Sequence, residues 1–448
     1  MNNLILIIFF LFLLTNCSFD KKTGIWKDSS EINQKTSIEL ENPKLENIFF
    51  QEESYLEEKN IDSDTDVIIN KVFSNTDWNN EHYSLTNNYS NISYFGKKNY
   101  IFKSSKLAKF RGNYILKPLF YKNNLISYDN KGSIYLYSLD REEKVFTYNF
   151  YKGNYKKYKK KLFLSLSNET LYVADNLGYI YALDLTNKSI VWAKNFGIPF
   201  RSNLISVDNQ VFISNQDNKI FSLDKFTGEI NWNFPTSESL LKSEFKNNII
   251  VDKIKKNVFF LNNSGELYSI NYLSQKVNWV LNFKSSSMNK EIFQSSFLTL
   301  KNNRLIVSNG KSILNFDAST GQRLWSKPIP TKITGVLTDN YYFIVTKNNF
   351  LICLDISDGS IIWSKNINNE IFNFYDKNKD FDKIINLSIA NNKLILFTIS
   401  GYLMEFNYKN GEMTFFEKIL KSGIYSYPIF VDNYLYLLNK NYKLYQFE

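Results

Sequence analysis

The spacing Asp-x-x-x-Gly-x-x-x-Trp, complete at Asp355, Gly359 and Trp363, constrains this chain most, because it recurs along most of its length. Asp317, Gly321 and Trp325 keep the same offsets, as do Asp224, Gly228 and Trp232. Asp184 and Trp192 keep the outer pair, with Lys188 at the glycine position. Looser copies run from Asn271 to Trp279, through Asn407, Gly411 and Phe415, and from Asp140 to Tyr148. A period of about 40 residues repeated this often means a repeat architecture.

Each copy has a physical reading. Alternating segments such as Phe350-Leu351-Ile352-Cys353-Leu354 and Ser360-Ile361-Ile362-Trp363-Ser364 flank the Asp and Gly, so the unit predicts a hairpin of two β-strands. Asp can accept from the backbone two residues on, and Gly supplies a positive φ without a Cβ clash. The Trp then packs between neighbouring units, as a radial array requires.

Four strands per copy parse the chain into units over 114–150, 161–196, 201–234, 246–283, 294–327, 332–366 and 383–418. After the seventh, the segments 427–431, 434–438 and 443–447 supply three strands without a fourth. Ahead of the first unit, 99–103 is a free β-like segment that can complete that last sheet. Sharing one blade between the chain's two ends removes open sheet edges. The expected fold is all-β: an eight-bladed β-propeller of four-stranded antiparallel blades, closed by a sheet of N- and C-terminal strands. Seven blades is the alternative if the first strand near Lys246 is irregular.

The composition agrees: 38 Phe and 30 Tyr against 16 Gly favour strands, and 44% apolar residues in 448 fill a large core. The formal charge of +10 comes mostly from lysine and reads as a solvated surface. It is unevenly spread. Residues 18–75 carry 13 acidic side chains against 7 lysines, so an acidic arm precedes a basic body. With Cys17, Cys353 and one histidine, His82, the chain has no disulfide framework, HExxH, CxxC or catalytic-triad pattern. No metal or cofactor is expected from these residues.

The apolar run Leu4 to Leu14 is short for a membrane span and reads as a secretion signal over 1–16. Leu13-Leu14-Thr15-Asn16-Cys17 resembles a bacterial lipobox, whose cysteine carries acyl chains. It departs at Asn16, where Gly, Ala or Ser is usual, and Met1-Asn2-Asn3 lacks the usual basic residue. A non-lipidated signal or a single anchor is the other reading. Residues 17–76 are then an acidic tether, disordered by composition, with a short helix expected over 45–60, and the propeller occupies 77–448.

These repeats resemble the quinoprotein-type propeller repeat. Together with the signal, lipobox, tether and shared closing sheet, the chain resembles the BamB lipoproteins of the outer-membrane β-barrel assembly machinery. Tyr342-Phe343-Ile344-Val345-Thr346, Leu351-Ile352-Cys353-Leu354-Asp355 and Ser264-Gly265-Glu266-Leu267-Tyr268 are the most specific stretches. The resemblance implies a non-enzymatic scaffold on the periplasmic side of the outer membrane. It implies contact with a BamA-like protein through loops between the last strand of one blade and the first of the next, here 235–245 and 285–293. Lys242 falls near a basic contact position of that family and Glu291 near an acidic one. The apolar residues Leu240, Leu241, Met288, Ile292 and Phe293 would anchor the contact, with the charges steering it. Associated lipoproteins and unfolded outer-membrane proteins are further implied partners. Two other readings stay open. One is an envelope propeller lipoprotein that binds another protein or a glycan. The other is a dehydrogenase holding pyrroloquinoline quinone and calcium in the channel, an enzyme type that uses an adjacent-cysteine disulfide this chain cannot form.

Overall fold

The computed structural model describes residues 54–108, 114–151, 153–237, 246–283, 296–376 and 380–448. They contain eight four-stranded antiparallel sheets, each strand hydrogen-bonded to the next in chain order within the first seven. Blades 1 to 7 span 119–149, 162–195, 205–234, 248–282, 297–327, 336–366 and 384–418. The strand near Lys246 is regular, Asn248–Asp252, which decides for eight blades over seven. In blade 8 the segment Tyr100–Lys106 pairs antiparallel with Lys443–Phe447, Tyr100 opposite Phe447 and Lys106 opposite Lys443. This is the predicted closure, with the strand starting one residue later and ending three residues later than the expected 99–103.

We call the strands of a blade A to D in pairing order. The A strands of neighbouring blades approach one another and line the central channel, while D strands alternate exposed and half-buried residues at the rim. The repeat has a directional role that its spacing alone does not reveal. The turn Asp accepts from backbone amides ahead of it: Asp224 Oδ1 from Phe226 N (2.9 Å) and Thr227 N (2.8 Å), Asp317 Oδ1 from Ser319 N and Thr320 N (2.9 Å each). The Gly then lies against the Trp of the preceding blade. A Cβ on Gly228, Gly321, Gly359 or Gly411 would come within 3 Å of the ring of Trp192, Trp279, Trp325 or Trp363. Those four indoles donate to the carbonyl just after the turn Asp or Asn, Trp325 Nε1 to Ile356 O (2.8 Å) and Trp363 Nε1 to Tyr408 O (3.2 Å) among them. Each turn therefore caps the aromatic of the blade before it, coupling neighbouring sheets by packing and a hydrogen bond. Where the next turn has Gln275 in place of Gly, the Trp232 indole N–H finds no acceptor.

Residues 54–98 are where the structure departs furthest from expectation. The tether was expected to run to residue 76, but the described part of it, from 54 on, lies along the propeller. Ser54–Leu56 is a single 3-10 turn, not the end of a helix over 45–60; the residues before it lie outside the described set. Lys59 then pairs with strand D of blade 6, N to Ser364 O (3.0 Å) and O from Ser364 N (2.9 Å), because that edge offers unpaired backbone groups. Val67 is fully buried, and Lys409 holds Asp66 at 2.8 Å. The acidic composition reflects pairing with a basic propeller surface as well as solvation.

From Trp78 the arm makes one circuit of the channel mouth, meeting the blades in order. Trp78 pairs with Phe120 of blade 1, and Asn79 O accepts from Leu166 N of blade 2. Leu85 packs on the apolar cluster that joins blades 3 and 4, and its carbonyl accepts from Val251 N of blade 4. Thr86 O accepts from Leu300 N of blade 5, Asn88 Nδ2 donates to Leu337 O of blade 6 (2.8 Å), Ile92 O accepts from Asn391 N of blade 7, and Phe95 N donates to Asn433 O of blade 8. Trp78, Tyr89, Ile92 and Tyr94 are buried in doing so. Short A strands leave unpaired ends around the mouth, and the arm satisfies them.

Candidate functional site

The partner-contact residues named from the sequence, Leu240, Leu241, Lys242, Met288, Glu291, Ile292 and Phe293, and the lipidation residue Cys17, lie outside the described residues. The stems of both loops are described. Thr236 Oγ1 donates to Asn218 O (2.6 Å) and accepts from Asn262 Nδ2 (2.8 Å), and Ser237 N donates to Glu266 Oε2 (3.1 Å). Burial pushes the Glu266 carboxyl up, but hydrogen bonds from Ser237, Asn262 and Tyr268 outweigh it and hold the group below its usual range. The carboxylate thus fixes the outgoing stem in its charged form. Asn248 Nδ2 donates to Ser296 O (2.7 Å), which joins the two returning stems directly. Both loops therefore spring from the two sides of blade 4, on the face opposite the arm.

The next D-to-A connection to carry regular structure is the helix α1 (Ile367–Tyr375), which the sequence reading did not anticipate. Asn366 caps it, its side chain accepting from Asn368 N, and Ile367 and Ile371 bury one face at helical spacing. That cap and spacing were legible in the sequence. Phe372 and Phe374 remain 44% exposed on the same face of the propeller as the two loops.

A second cluster sits in the channel. Lys117, Lys246 and Tyr427 each stand two residues before an A strand, those of blades 1, 4 and 8, and so occupy equivalent places around the axis. The arm turns inward at 81–87 and brings Glu81 and His82 to them. Glu81 Oε2 accepts from Lys246 Nζ (2.7 Å) and Lys117 Nζ (3.2 Å), and Lys117 Nζ lies 2.9 Å from His82 Nε2. The His82 ring meets Tyr427 edge-on at 5.5 Å, Lys117 Nζ stands 5.1 Å from the Tyr427 ring, and Lys246 Nζ 5.1 Å from that of Phe163. Burial alone would raise the Glu81 carboxyl, but the two ammonium groups bring it below its usual value. Burial and then the charge of Lys117 drive His82 well below its usual value, so the imidazole is neutral. Burial lowers Lys246 to about 8 against the opposing pull of Glu81, while for Lys117 the attraction of Glu81 overcomes burial and raises it. At neutral pH the cluster carries two cations against one anion. Its members are far apart in sequence, and only alignment of the blades reveals that three of them share a position.

The calcium ion weighed from the sequence does not fit these residues. The carboxylate at the centre is already shared by two ammonium groups and the surplus charge is positive, which repels a cation. Among the described residues no group of three or more His, Cys, Asp or Glu is placed to hold a metal ion.

A family model described as outer membrane protein assembly factor BamB matches residues 132–365, just over half of the chain. The chain belongs to the BamB family. A BamB of Legionella pneumophila (strain Paris) is 34% identical over 67 residues, 15% of this chain and 17% of that relative's length. The crystal structure of BamB from Moraxella catarrhalis superposes with a TM-score of 0.59 at 13% identity, over 77% of this chain and 99% of that one. A europium-containing methanol dehydrogenase reaches 0.58 at 14% identity over 81% and 89%. The quinohemoprotein alcohol dehydrogenase of Comamonas testosteroni reaches 0.60 at 11% over 83% and 80%. At such identities the structural likeness speaks for the propeller fold alone, which BamB shares with these dehydrogenases.

Proposed function

We propose that this BamB-family propeller is a non-enzymatic scaffold for outer-membrane protein assembly. It is held at the periplasmic face of the outer membrane by acyl chains on Cys17 and engages a BamA-like protein through the loops beside blade 4. The family match over 132–365 carries this reading. Two further observations support it. The loop stems 237 and 246, and 283 and 296, flank one blade, so the loops can act as a single patch. The channel lysines and the carboxylate they share do not suit the metal ion of the dehydrogenases that share the fold. Leu240, Leu241, Met288, Ile292 and Phe293 supply anchoring area, and Lys242 and Glu291 steer.

Leu241→Asp is expected to abolish co-purification with the BamA-like protein, with the circular dichroism spectrum and melting point unchanged. Lys242→Glu weakens capture, and more so at low salt than at high salt, as a screened charge contact does. Capture that survives both substitutions in folded protein places the partner elsewhere. For the anchor, Cys17→Ala is expected to remove labelling by a palmitate analogue and shift the protein to the soluble fraction, because stable attachment needs more than one acyl chain. Unchanged labelling would overturn the assignment of Cys17.

A further inference from the structure

The channel cluster has more hydrogen-bond donors and more positive charge than its own acceptors can use. An ammonium only donates, so at 2.9 Å from Lys117 Nζ the His82 Nε2 must be the acceptor. The neutral ring then carries its proton on Nδ1, and that atom is buried with no partner. Lys117 spends one N–H on Glu81 and one on His82, and Lys246 spends one on Glu81. Both lysines keep N–H groups without a charged acceptor, each ammonium lies close to the other, and the rings of Tyr427 and Phe163 stand 5.1 Å from Lys117 Nζ and Lys246 Nζ. Glu81 is enclosed, with 4% of its side chain exposed, whereas Lys117 and Lys246 keep 20% and 30%. Space therefore remains beside the ammonium groups and not beside the carboxylate. Unmatched positive charge in a largely dehydrated site is costly, and an anion bound to the ammonium groups removes that cost.

We infer that Lys117 and Lys246 form a binding site for a small oxyanion in the propeller channel. The ligand presents carboxylate or phosphate oxygens to Lys246 Nζ and Lys117 Nζ, while His82 keeps its Nε2 on Lys117. Glu81 is a positioning residue: it belongs to the arm, gathers the two lysines from blades three apart, and leaves a net charge of one for the anion to neutralise. The site stands or falls independently of the partner assignment.

The chain contains a single histidine, which gives a direct probe. In the full chain labelled with nitrogen-15, the imidazole is expected to show the Nδ1–H tautomer, and its Nε2 resonance, which reports the Lys117 ammonium it accepts from, to shift saturably as inorganic phosphate or acetate is added at constant ionic strength. Chloride at the same strength should leave it in place. Phosphate binding alone identifies a tetrahedral oxyanion and acetate binding a carboxylate; either supports the site. Lys246→Met removes the surplus cation but leaves the Glu81–Lys117 pair balanced. It is expected to keep its melting point within a few degrees and to bind ~10- to 100-fold more weakly, the loss of one charge-assisted hydrogen bond. Resonances in the wild-type chain that respond to neither anion, or a Lys246→Met protein that binds as tightly as wild type, would overturn the proposal.

Discussion

A chain that begins at residue 107 is expected not to fold cooperatively, although every residue of blades 1 to 7 is intact. It lacks Tyr100–Lys106, so Lys443–Phe447 becomes an unpaired edge, and it lacks the circuit of the mouth. Val67, Trp78, Tyr89, Ile92 and Tyr94 are each buried to within 2% of full. At about 1.5–3 kcal/mol per large apolar side chain, their loss alone is of the order of the whole stability of a domain, about 5–15 kcal/mol. Removal of residues 18–53 is expected to leave the melting temperature unchanged, and removal of 18–75 to lower it by an intermediate amount through the loss of Val67 and the Lys59–Ser364 pairing. Thermal and urea unfolding of the three truncations would check this ordering. Equal stability of the truncations at 76 and 107 would refute the role given to the arm and the closing strand.

The second large effect is expected at the junction of blades 6 and 7. Trp363 is fully buried, stacks near Phe343 (6.0 Å), donates to Tyr408 O and is covered by Gly411. Trp363→Ala should cost ~3–5 kcal/mol as a cavity at a blade interface. Gly411→Ala attacks the same contact from the other side. Its φ of +75° disfavours an L side chain by about 1–2 kcal/mol, and the new Cβ would lie 2.6 Å from the indole, adding about 1–3 kcal/mol of overpacking. The two substitutions share one contact, so their combined cost should fall below the sum. Phe226→Ala in the turn of blade 3 removes a side chain 62% exposed and should stay within about 0.5 kcal/mol. Urea midpoints of the four proteins measure all of this, and a fully additive double mutant would disprove the capping contact.

The blade pattern was readable because it is local. An Asp that caps its own turn, a Gly at positive φ and an aromatic eight residues on are set by chemistry within one hairpin, and repetition makes them visible even where Lys188 or Gln275 replaces the glycine. The missing strand of the last sheet was also readable, since three C-terminal strands cannot stay open-edged and 100–106 is the free β-like segment that completes them. Helix α1 stands outside the repeat, so strand periodicity does not mark it; its local signal is the cap Asn366 and the Ile367–Ile371 spacing.

The arm and the channel cluster belong to another class. Residues 54–98 are polar, acidic and aperiodic, and composition alone assigns them to solvent. They are ordered because the ring offers them unpaired strand ends, a blade edge and basic side chains. Likewise Glu81, His82, Lys117 and Lys246 show no spacing that marks a site, and they meet only because equivalent positions of different blades converge on one axis. By itself the sequence determined what each repeat folds into and that the repeats close into a ring, because hydrogen bonds and packing within a hairpin act between near neighbours. Only the tertiary structure decided where the arm lies and which charges share the channel, because closing the ring sets the distances between residues that the chain holds far apart.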